Sequence, residues 1–130
     1  MPREIVNPPE LFPPPGFSHI AVATGSRLAF IAGEPPLGAD MALVGAGDLA
    51  AQTRQVLENL LQALAALDAG WEDVVRSTVW TTQPHEYAVI GAVVAEALGG
   101  AAPPAQVIAG VTGLALPEML IEIDLVVSLP

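Results

Sequence analysis

Glu122 is the residue of this chain best placed to do chemistry, an isolated carboxylate in the run Leu120-Ile121-Glu122-Ile123-Asp124, which is otherwise aliphatic up to Asp124. A carboxyl group drawn out of water keeps its proton to higher pH, which brings it toward the range where it can donate and accept protons at neutral pH. Upstream, Pro103-Pro104-Ala105-Gln106-Val107 presents an amide that can donate and accept hydrogen bonds but carries no charge. His19 brings an imidazole able to serve as a base or donor near pH 7. Phe17 and Trp80 offer aromatic surface for the wall of a ring-bearing ligand's site. Each has a plainer reading: Glu122 as a structural carboxylate satisfied by backbone N–H groups or an arginine, His19 as a half-exposed strand residue, and the aromatics as core or interface.

Missing residue types narrow the chemistry further. With no cysteine there is no thiolate nucleophile, disulfide or cysteine-based metal site. Having no lysine, the chain cannot form a lysine Schiff base. His19 and His85 are far apart, with no second histidine at helical spacing, so no metal site is expected. Gly45-Ala46-Gly47 lacks the third glycine and the preceding strand of a dinucleotide fingerprint. Four arginines against fourteen acidic residues give a net charge of −10, which repels phosphate backbones and argues against nucleic-acid binding. No uninterrupted apolar stretch is long enough to span a bilayer and no basic-then-apolar leader follows Met1, so a soluble cytoplasmic protein without a membrane partner is expected.

The positioning elements follow from pattern. The 130 residues suit one domain, with residues 1–16 a proline-rich N-terminal arm in which Pro8, Pro9, Pro13, Pro14 and Pro15 favour an extended backbone. His19–Thr24 and Leu28–Ala32 read as strands joined in a hairpin at Gly25-Ser26-Arg27. Asp48 is an N-cap for a helix over Leu49–Ala69 stopped at Gly70; Leu49, Val56, Leu60, Leu64 and Leu67 form its apolar stripe, widened by Leu57 and Leu61. Val74–Thr82 reads as a strand, Glu86–Leu98 as a second helix closed by Gly99-Gly100, and Ala105–Val111 and Leu120–Leu129 as strands. The result is β-β-α-β-α-β-β, an α+β layer with two helices on one face of a sheet. In the last strand Ile121, Ile123, Leu125 and Val127 face the helices; Leu120, Glu122, Asp124 and Val126 face away. Apolar residues on that second face predict burial against another subunit.

The motifs Pro15-Gly16-Phe17-Ser18-His19, Ala32-Gly33-Glu34-Pro35-Pro36, Gln52 through Leu60, Asp73 through Trp80, Pro103-Pro104-Ala105 and Leu116-Pro117 leading to Ile121-Glu122-Ile123 run collinearly over nearly the whole chain. In these the sequence resembles the RidA/YjgF family of reactive-intermediate deaminases. The resemblance implies a RidA/chorismate-mutase-like fold, a mixed sheet and a homotrimer around a central barrel, with ligand clefts at subunit interfaces. It also implies that Glu122 orients an attacking water and that Gly33 supplies a carbonyl to the substrate. Phe17 stands where the family has a tyrosine, and Gly91 where some members carry an asparagine. Gln106 replaces the arginine that pairs with a substrate carboxylate. Because charge-assisted bonds are roughly twice as strong as neutral ones, the standard hydrolysis of 2-imino acids is not expected. The implied activity is hydrolysis, tautomerisation or cyclisation of a small imine, enamine or enol-type intermediate, hydrolase- or isomerase-like. It would need no cofactor, since each step is proton transfer plus water. The alternative is a non-catalytic trimeric small-molecule-binding or regulatory protein.

Overall fold

The computed structural model describes residues 2–130. In chain order the elements are β1 (Arg3–Val6), β2 (Ile20–Ala23), β3 (Arg27–Glu34), α1 (Leu49–Ala66), β4 (Val74–Thr81), α2 (Tyr87–Leu98), β5 (Ala105–Gly110) and β6 (Ile121–Leu129). Short 3-10 turns at Trp71–Asp73 and Pro84–Glu86 lead into β4 and α2. Four strands form a mixed sheet in the order β3-β6-β4-β5, with β4 and β5 parallel and the other pairs antiparallel. A parallel pair needs a crossover, and α2 supplies it. The fold is α+β, two helices on one face of a mixed sheet, as the pattern implies.

Burial along β6 alternates, with Ile121, Ile123, Leu125 and Val127 in the core and Glu122, Asp124 and Val126 half-exposed on the far face. Val56, Leu60 and Leu64 of α1 and Ile90 and Val93 of α2 pack into the same core. Each such side chain stabilises the fold by about 1.5–3 kcal/mol, so packing rather than propensity holds the helices. Asp48 caps α1 through the Ala51 N–H at 3.1 Å.

Several expectations are corrected. β2 and β3 do not form a hairpin; β2 pairs with β1 in a separate two-stranded sheet, while β3 pairs with β6. Turn residues at Gly25-Ser26-Arg27 allow a reversal but cannot decide which neighbour wins. The long alternating β6 lets Ala29 and Ile31 of β3 reach the core, which β2 would not. Arg3–Val6, inside the segment read as an arm, is strand. Arg3 is buried, and its guanidinium donates to the carbonyls of Val74 and Ala102. That burial lowers its pKa against the opposing pull of Asp73 and Glu72. α1 ends at Ala66, not Ala69, because Asp68 takes the left-handed conformation at φ 51°. Leu61 is exposed, so the apolar stripe is narrower than its spacing suggests.

Candidate functional site

Glu122 lies on the helix-free face of the sheet, paired in register with Trp80 of β4. On β3 the register slips between Ile31 and Glu34, a bulge of the kind that re-aims backbone beside functional groups. There Gly33 comes up against the Glu122 side chain: a Cβ added to Gly33 would overlap the carboxylate, its Cδ lying 2.8 Å away. With glycine here the carboxylate takes this position without being turned aside. Removal from water raises the Glu122 pKa, and the negative charges of Asp124 and then Glu34 push it the same way. Asp124 itself accepts from Trp80 Nε1 at 3.0 Å.

The long helix holds this corner in place. Asn59 donates to the carbonyls of Pro35 at 3.0 Å and Leu37 at 2.9 Å, and its Oδ1 accepts from Gln55. The segment following Gly33-Glu34 is thereby pinned to α1. Gln52, fully buried, donates to the carbonyls of Gly45 and Glu118 and accepts from the Leu120 N–H at 2.8 Å. It therefore fixes the entry to β6 just before Glu122.

Gln106 occupies a different place. In the parallel β4–β5 pair it is in register with Ser77, and Ser77 Oγ donates to Gln106 Oε1 at 2.9 Å. Beside it opens a cleft of about 630 Å³ between β5 and α2, whose lining includes Phe17, Tyr87, Gly91, Val94, Gln106 and Ile108. Among the described residues, no side chain lining it carries a formal charge. Phe17 reaches the cleft because Ser18 bridges to Ala105 on the outer edge of β5, donating from its backbone N–H to the Pro104 carbonyl at 2.9 Å and from its hydroxyl to that of Pro103.

Ser77 and Trp80 are three residues apart on one strand, so their side chains point to opposite faces. Gln106, Phe17 and Gly91 therefore gather around the cleft, while Glu122, Gly33 and Trp80 gather on the other side of the sheet. One protomer does not unite the expected set, and Trp80 does not share a wall with Phe17. His19 is not among the cleft residues either. Its ring meets Phe12 and Phe17 edge-on at 4.7 and 5.5 Å, and its Nε2 lies 2.7 Å from the Phe12 carbonyl oxygen. Those contacts set its ring against the proline-rich turn.

Three participants are not singled out by the sequence. Ser77 orients Gln106, and Tyr87 stands one turn from Gly91 on the same face of α2. Glu34 adds charge beside Glu122. Ser77 and Glu34 lie inside the motifs at residues 73–80 and 32–36, and the Tyr87–Gly91 spacing is the signal that could have flagged Tyr87.

Among the described residues, no cluster of histidine and acidic side chains could hold a metal ion, and no helix is long and apolar enough to cross a membrane. The far face of the sheet leaves Leu28 half-exposed, and Phe30 is 74% exposed.

Comparison with known proteins gives these features a context. Residues 10–129 match the sequence model of a family described as endoribonuclease L-PSP. A RutC family protein of Synechocystis sp. is 32% identical over 131 residues, covering 100% of this chain and 99% of the relative. The 3-aminoacrylate deaminase RutC of Acinetobacter baylyi is 32% identical over 123 residues, covering 95% of each. A crystal structure of a conserved Rid-family protein of unknown function, from Yersinia pestis, superimposes with a TM-score of 0.95 at 41% identity, covering 99% of this chain and 100% of that one. A fold and a sequence that both coincide over nearly the whole length leave one assignment: the chain belongs to the RidA/YjgF family, the family matched under the endoribonuclease L-PSP description.

Proposed function

We propose that this protein is a divergent RidA-family enzyme that processes a small reactive imine, enamine or enol-type intermediate by hydrolysis, tautomerisation or cyclisation. The observation that carries this reading is the Glu122 carboxyl, its pKa raised by burial and pressed against the Gly33 backbone. A carboxyl group with a raised pKa can protonate an enamine carbon or imine nitrogen and, once ionised, orient a water for attack. Each step moves protons and water only, so no cofactor is required.

Glu122 and the Gln106 cleft lie on opposite faces of one sheet, so the working site is formed where the Glu122 face of one copy meets the cleft of another. A homotrimer with three such junctions satisfies this, and the exposed Phe30 and Leu28 give the face something to bury. The 3-aminoacrylate deaminase relative supports enamine chemistry. The uncharged cleft separates this protein from enzymes that hold a substrate carboxylate with arginine. A second reading, a trimeric small-molecule-binding protein without catalysis, draws on the same missing cation. A net charge of −10 disfavours RNA as the substrate.

The test is Glu122→Gln assayed on a panel of imines and enamines generated in place, neutral and carboxylate-bearing. Loss of turnover with the fold intact supports proton transfer at Glu122. Turnover at the wild-type rate removes Glu122 from the chemistry, and no turnover by the wild type on any member favours the binding reading.

A further inference from the structure

We propose that Tyr87, Gly91 and Phe17 form a slot for a planar ring, and that Gln106, oriented by Ser77, presents its N–H groups to an uncharged carbonyl on that ring. The inference rests on the cleft being the substrate site and adds to it the class of substrate: a planar, neutral carbonyl compound such as a cyclic or aromatic amide.

Gly91 is the first observation. It lies inside α2 rather than at either end, where glycine destabilises a helix relative to alanine. Nothing within the protomer demands it, since a Cβ there would meet no atom within 4 Å. The space it leaves empty is cleft, with Tyr87 one turn before it and Val94 nearly one turn after it on the same helix face. The missing side chain therefore leaves that part of the cleft open.

Polarity is the second observation. Tyr87 and Gln106 are the two polar side chains lining the cleft, and Phe17 and Tyr87 its two rings. The nearly buried Ser77 hydroxyl donates to Gln106 Oε1, which turns the amide N–H groups away from Ser77, and Gln106 lines the cleft. An N–H pair recognises a carbonyl oxygen. A carboxylate would give up its hydration with no cation among the lining residues to offset the loss, in a protein already strongly negative.

The experiment is a calorimetric titration of the assembled wild-type protein with benzamide, benzoate and cyclohexanecarboxamide. Benzamide is expected to bind at least tenfold more tightly than the other two. Gly91→Ala should weaken benzamide at least tenfold while raising the melting temperature and leaving the assembled mass unchanged. Ser77→Ala should narrow the gap between benzamide and benzoate, and Gln106→Arg should reverse it. Equal binding of benzoate, no binding of any probe, or a Gly91→Ala protein that binds normally overturns the slot, as does one whose assembly changes. If the slot fails while Glu122→Gln still abolishes turnover, the catalytic reading stands. If benzamide binds as expected while Glu122→Gln turns over normally, the slot stands and the proton-transfer reading falls.

Discussion

Gln106 and Glu122 project from opposite faces of the same four-stranded sheet, Gln106 in register with Ser77 and Glu122 in register with Trp80. A site that needs both must draw them from two copies of the chain. Two variants that are each inactive, Glu122→Gln and Gln106→Ala, should then restore activity when denatured and refolded together. Random mixing in equal amounts leaves about a quarter of the junctions with both native halves, so about a quarter of wild-type turnover is expected from a closed ring. Activity that never rises above the two separate variants places the site within one protomer.

The raised Glu122 pKa has a sign that can be read in stability. A carboxyl group whose folded pKa exceeds its unfolded value stabilises the fold fully below the unfolded value, and that contribution is lost as pH rises through the folded one. Glu122→Gln has no such group to ionise. Its melting temperature should exceed that of the wild type at pH 8, with the gap closing as pH falls below the ordinary glutamate range. Its turnover should drop about 10²–10⁴-fold, the usual size of a general acid–base contribution. Parallel melting curves from pH 4 to 8 would show that Glu122 is not desolvated.

The Glu122 carboxylate occupies the space that a Gly33 Cβ would need, its Cδ 2.8 Å from that point. Gly33→Ala must turn this flexible side chain aside, which costs little stability but moves the carboxyl group from its place beside the β3 bulge. Chemical denaturation of Gly33→Ala against the wild type, with turnover measured alongside, checks this. The rate should fall with stability nearly unchanged, whereas an unaltered rate would mean that the carboxyl group does not need this position.

Phe30, 74% exposed on the helix-free face, is the side chain expected to lose most from separation of the copies. Full burial of such a side chain contributes about 1.5–3 kcal/mol, and an aspartate there would bury an unpaired charge wherever the proposed contact between copies covers this face. Phe30→Asp should therefore sediment as a monomer while keeping its helical circular dichroism. A trimer of normal mass would move the interface elsewhere.

The sequence alone determined the secondary elements with the longest periodic signals and the chemistry they exclude. The alternation of Ile121, Ile123, Leu125 and Val127 and the stripe from Val56 to Leu64 are local properties, each dictated by which face of an element must leave water, and both match the observed core. The Asp48 cap was legible for the same reason, and collinear motifs marked Glu122, Gly33 and Gln106 as residues of interest. Strand pairing was not legible: whether β3 joins β2 or β6 depends on competition between distant partners for burial, which no turn tripeptide records. Alternation along the last strand placed Glu122 on the face away from the helices, but the face of Gln106 was not legible, because that depends on the register of β5 against β4, a one-residue slip of which reverses every side chain. The tertiary structure alone set Ser77 against Gln106, His19 against the proline-rich turn and Gly33 beside Glu122, since each is a contact between segments that local sequence leaves free.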